Sequence, residues 1–74
     1  IDKRGKNMDF GIQLKTLRER LNLSQEMLAR LLGVSFATVN RLEKGKTLPS
    51  YNTMKKIEKL CQDNNLKFEV VKND

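Results

Sequence analysis

Serine and glycine punctuate the middle of this 74-residue chain so closely that only short helices fit between them. Ser24 precedes "QEMLARLL" and Gly33 follows it. Ser35 precedes "FATVNRLEK" and Gly45 follows it. Pro49 and Ser50 then open "YNTMKKIEKLCQDN". A serine hydroxyl accepts from the backbone N–H groups that the first turn of a helix leaves without partners. Glycine takes the left-handed backbone that ends a helix without a steric penalty. The pattern predicts helices over 25–32, 36–44 and 51–64. A first helix is expected over 9–21, capped by Asp9, with Phe10, Leu14, Leu17 and Leu21 on one face and Asn22 in the left-handed position that ends it. In the fourth helix Met54, Ile57 and Cys61 form the inner stripe, which makes Cys61 a small core residue.

The second and third helices meet across Gly33. Ala29 lies four residues before that glycine and Val39 six after it. Two helices that cross steeply within one turn of each other need a small side chain at the contact, which Ala29 supplies. Leu28, Val39 and Leu42 fill the wedge between them. This spacing is the signature of a helix-turn-helix.

Composition narrows the function. Lys and Arg number 15 against 9 Asp and Glu, a net charge of +6, and a small basic domain with such an excess suits a polyanion such as nucleic acid. The chain has no histidine, which removes the commonest general base and metal ligand. Its one cysteine, Cys61, has no basic neighbour in the sequence and is a poor nucleophile. No phosphate loop, zinc spacing or carboxylate cluster is present. The expectation is therefore no catalysis, no cofactor and no metal. A lone cysteine cannot form an internal disulfide, which suits a reducing cytoplasm, and no apolar run approaches the roughly 20 residues that span a bilayer.

The stretch "LSQEMLARLLGVSFATVNRLEKGKTLPS" resembles the helix-turn-helix of lambda repressor and Cro-type (XRE family) DNA-binding proteins. The matching features are Leu23-Ser24-Gln25, Leu28-Ala29, Gly33-Val34-Ser35, Val39, Leu42-Glu43, Gly45-Lys46 and Pro49-Ser50. The resemblance covers residues 9–64. It implies an all-α bundle of four main helices whose third helix enters the major groove of double-stranded DNA, and a repressor that binds a palindromic operator as a homodimer. Many members pair an arginine of the first helix with a glutamate near the end of the third, and Arg18 and Glu43 stand in those places. Rotation at 100° per residue puts Glu43 beside the Val39/Leu42 face, where a half-buried carboxylate needs a partner.

The same rotation sends Ala37, Asn40, Arg41 and Lys44 to the opposite face of the third helix. Arg41 suits guanine O6 and N7, and Asn40 suits adenine N6 and N7. Ala37 is small enough for close approach and for a thymine methyl. Phe36 lies at the edge, about 90° from the core direction, and is expected against a thymine methyl or sugar edge. Lys44 suits phosphate. Gln25 matches the glutamine with which the family clamps the DNA backbone. Ser35, Thr38, Lys46, Thr47 and Ser50 are further candidates for phosphate, at helix N-termini and in the loop before the fourth helix.

The ends are read separately. Residues 1–8 hold Lys3, Arg4 and Lys6 and are expected to be a flexible basic arm or a tag remnant, with Met8 a candidate natural start. Residues 65–74 are expected to hold a short C-terminal β-strand, because Leu66, Phe68 and Val70 alternate with Lys67 and Glu69. A lone strand leaves its backbone groups unpaired, so Lys67 to Val71 is expected to pair with a second copy. That arrangement is similar to Hip-type antitoxins, which offers an alternative role: an antitoxin that binds a toxin partner and represses its own operon. A third alternative is the DNA-targeting domain of a larger protein. No membrane partner is expected, and the place of action is the cytoplasm, at the nucleoid of a bacterium or phage host.

Overall fold

A computed structural model describes residues 5–66 of the chain. They form four helices: α1 (Gly5–Arg20), α2 (Gln25–Leu32), α3 (Phe36–Glu43) and α4 (Tyr51–Asp63). No strand occurs among the described residues. The strand expected from Leu66 onward falls on residues 67–74, outside them.

The punctuation operates as local chemistry. Ser24, Ser35 and Ser50 all have extended backbone, and each hydroxyl accepts from the N–H three residues on: Met27 at 3.0 Å, Thr38 at 3.1 Å and Thr53 at 3.2 Å. The four C-terminal ends share one geometry. Asn22, Gly33, Gly45 and Asn65 are left-handed, with φ of 57°, 70°, 76° and 57°. The following residue donates its N–H to a carbonyl five positions back: Leu23 to Arg18, Val34 to Ala29, Lys46 to Arg41 and Leu66 to Cys61. This is the Schellman closure, and it satisfies carbonyls that the helix end would otherwise orphan.

One boundary differs. The first helix begins at Gly5, so Asp9 lies inside it instead of capping it, and residues 5–8 carry helical backbone. Once a turn is nucleated, each added residue gains a backbone bond, and "GKNMDF" has no proline to stop the extension.

Helices of eight residues are marginal alone, so α2 and α3 depend on packing. The core takes Phe10, Leu14 and Leu17 from α1, Leu28, Ala29 and Leu32 from α2, Val39 and Leu42 from α3, and Ile57 and Cys61 from α4. Leu14, Leu28, Leu32, Leu42, Ile57 and Val39 are the largest wholly enclosed side chains. Burying each stabilises the fold by about 1.5–3 kcal/mol. Leu21 and Met54 pack at the core's edge. Burial pushes the Cys61 thiol pKa up, and the nearby Glu58 charge adds to the shift. Thr53 is also buried; its hydroxyl accepts from Ser50 at 3.1 Å.

A close approach between α1 and α3 depends on Gly11. A Cβ at that position would lie 2.5 Å from the Glu43 carbonyl oxygen and 2.9 Å from that of Leu42. Both obstacles are backbone, so neither can swing aside, and only a glycine lets α1 sit this near the end of α3. Alanine is favoured over glycine in a helix interior by about 1 kcal/mol, but the overlap outweighs that gain. Gly11→Ala is expected to lower stability by about 1–3 kcal/mol, read as a reduced urea midpoint at unchanged slope; a raised midpoint would show that the two helices separate freely.

Candidate nucleic-acid interface

Helix α3 is held from one side. Val39 and Leu42 are fully buried, while Ala37, Arg41 and Lys44 are exposed. Phe36, at the first position of the helix, is 52% exposed, a solvent-facing aromatic ring. Among the described residues Arg41, Lys44 and Lys46 form no ion pair, so their charges are available to an anion. Asn40 is half-buried because it reaches toward α2.

The end of α3 is fastened to α1. Arg18 Nε donates to Glu43 Oε2 at 2.6 Å and Nη2 donates to Glu43 Oε1 at 3.1 Å, the two-point geometry in which guanidinium and carboxylate match best. Arg18 Nη1 also donates to the Leu23 carbonyl at 3.0 Å. The two side chains are only 14% and 4% exposed. The Glu43 hydrogen bond pushes the Arg18 pKa above its ordinary value, against the opposing effect of burial, with the charges of Glu43 and Glu19 adding to the rise.

Gln25 joins the same group. Its Nε2 donates to Glu43 Oε1 at 3.0 Å, and its Oε1 accepts from Asn40 Nδ2 at 3.5 Å. The first residue of α2 is thereby tied to two residues one turn apart in the C-terminal half of α3. The family resemblance implies a backbone clamp at Gln25, and helical rotation sends Asn40 outward; their bond to each other spans 15 positions and has no local signal.

A helix-turn-helix family model of the lambda repressor-like type matches residues 14–62, well over half of the chain. The chain belongs to that family. No curated protein is significantly similar to it. The matched span contains the whole Arg18–Glu43–Gln25–Asn40 group and all of α3. This helix-turn-helix is accordingly a DNA-binding domain, and no helix among its described residues is long and apolar enough to cross a membrane.

Other polar candidates line the same helix-turn-helix. Ser35 Oγ and Thr38 Oγ1 lie 2.9 Å apart at the start of α3 and share one hydrogen, which leaves the other hydroxyl hydrogen for an outside acceptor. Lys46, Thr47 and Ser50 are exposed in the segment between α3 and α4. Leu48 in that segment and Tyr51 at the start of α4 are also exposed, at 58% and 74%, and Lys55 Nζ sits 5.6 Å from the Tyr51 ring centre. Neither of these two was singled out from sequence, since an apolar residue beside Pro49 reads equally well as packed or open.

Removing one member of a buried pair leaves the other charge without compensation. Arg18→Met is expected to lower stability by about 3 kcal/mol, whereas Arg18→Met combined with Glu43→Leu recovers most of that loss. Equal destabilisation by single and double variants in a urea titration would show that the packing of Arg18, not its pairing, matters.

Proposed function

We propose that this chain is a sequence-specific transcriptional regulator, a repressor, which reads double-stranded DNA by laying α3 in the major groove. The observation that carries the reading is the one-sided anchoring of α3: Val39 and Leu42 are locked in the core while Phe36, Ala37 and Arg41 face solvent with no intramolecular ion pair to displace. In this reading Arg41 donates two N–H groups to guanine O6 and N7, and Asn40 bonds adenine. Ala37 permits close approach, and Phe36 meets a thymine methyl or sugar edge. Gln25, Ser35, Thr38, Lys44, Lys46, Thr47 and Ser50 take phosphates, the first three from helix N-termini whose free N–H groups favour anions.

A single α3 spans only a few base pairs, so two copies on a palindrome with half-sites about 34–36 Å apart complete the site. Residues 67–71, with their alternating apolar pattern, are the proposed pairing element across the two-fold axis. The place of action is the DNA of the cell interior. A second reading keeps this chemistry and adds a protein partner, a toxin held by an antitoxin; exposed Leu31, in a groove that it lines with Leu32, Leu60, Lys56, Lys59 and Asp63, supports it. It stands only if a stable protein partner co-purifies.

Selection from random duplex DNA at a stated salt concentration tests the main reading, with a palindrome expected and no enrichment over competitor DNA refuting it. On the selected site, Arg41→Ala is expected to cost about 1–3 kcal/mol and to relax one base pair, while Lys46→Ala weakens all sequences alike and reduces the salt slope by about one. Truncation after Leu66, which keeps the closing turn of α4, is expected to yield a monomer at micromolar concentration by sedimentation; a persistent dimer would move the interface elsewhere.

A further inference from the structure

The Glu43 carboxylate decides how two neutral amides point. An ionised carboxylate can only accept hydrogen bonds. Glu43 Oε1 already accepts from Arg18 Nη2, and it is the Nε2 end of Gln25 that faces it at 3.0 Å. The Oε1 end of Gln25 therefore faces the other way, and a carbonyl oxygen can be met only by a donor. Asn40 meets it with Nδ2, at 3.5 Å, a long bond. Reversing Asn40 would set two carbonyl oxygens against each other; reversing Gln25 would set its oxygen against a carboxylate. The ion pair thus gives the chain a direction: Asn40 donates to Gln25, and Gln25 and Arg18 both donate to Glu43. Asn40 has Oδ1 and one Nδ2 hydrogen left for an outside partner.

We propose that Gln25 is a positioning residue for base recognition: held by Glu43, it makes Asn40 present Oδ1 outward, so that α3 selects a base bearing an exposed amino group, adenine foremost. The inference rests on the reading of α3 as the major-groove helix. An outward Oδ1 accepts from adenine N6, and the remaining Nδ2 hydrogen suits adenine N7; guanine offers only acceptors at those places, and thymine offers O4 and a methyl group. An unrestrained asparagine can turn its amide over and satisfy either kind of edge. The consequence of the Gln25 contact is selectivity, separate from any phosphate bond that the second Nε2 hydrogen of Gln25 makes.

The test uses the full chain and duplexes of the selected site carrying each of the four base pairs at every position. Asn40→Ala is expected to flatten discrimination at one base pair, from a ratio on the order of 5- to 150-fold toward unity. Gln25→Met is expected to flatten the same base pair toward the Asn40→Ala level, beyond any uniform loss of affinity, and the double variant to flatten it no further. If Gln25→Met weakens every sequence by one factor and leaves that ratio intact, the positioning role falls and the DNA-reading role of α3 stands. If Asn40→Ala alters no ratio, Asn40 reads no base and the inference falls with it. Absence of any specific binding by the unaltered chain overturns the function itself. A measurement on the free protein stands independently of how the variants fold. In NMR spectra the Asn40 side-chain amide protons should show a cross-peak to the Gln25 side chain and shifts displaced from those of a solvent-exposed asparagine; solvent-exposed shifts without that cross-peak overturn the proposal.

Discussion

One guanidinium holds three parts of this molecule together. Arg18 spends two of its donors on Glu43 at the end of α3 and a third on the Leu23 carbonyl in the turn before α2. Both side chains are largely shielded from water, so each charge is tolerable only because the other is present. Apolar packing between α1 and α3 is not directional, and Leu14 or Leu17 would accept a small slide of either helix. A two-point ion pair does not, because both N–H donors lose their acceptors together. The orientation of α3, and with it the direction in which Phe36, Ala37 and Arg41 face, follows from that restraint.

The restraint has a condition in the backbone. The guanidinium reaches Glu43 only because α1 comes close to the last turn of α3, and that approach leaves no room for a Cβ on Gly11. A glycine inside a helix is unfavourable locally. Here the local loss is offset by a contact made with carbonyls more than thirty positions away in the chain. The two features act as a unit, one removing bulk and the other adding a directed bond.

Much of the fold was legible because it is local. Ser24, Ser35 and Ser50 bond N–H groups three residues on, and Asn22, Gly33 and Gly45 close helices through bonds no longer than five residues. Such signals survive in any short window of sequence. Rotation of α3 about its axis was equally legible, since Val39 and Leu42 fall at helical spacing and the exposed face follows by subtraction. The start of α1 was less so: Asp9 offers a cap, but the residues before it extend the helix to Gly5, and nothing local chooses between those outcomes. Asn40 showed the limit of rotation as a guide. Its angle points outward, yet its side chain bends toward Gln25 and becomes half-buried.

The sequence alone determined where helices stop, which residues are apolar enough to meet, and that the unused face of α3 carries groups suited to base edges. Its spacing also sufficed to show the family, since the helix-turn-helix is a pattern of short-range turns and contacts. Only the tertiary structure decided that Gly11 must remain without a side chain, that Glu43 is shared between Arg18 and Gln25, and that Asn40 in turn donates to Gln25. The physical reason is that caps, turns and periodicity are written within a few residues of where they act. Steric fit and hydrogen-bond direction depend instead on atoms that the chain brings together from afar.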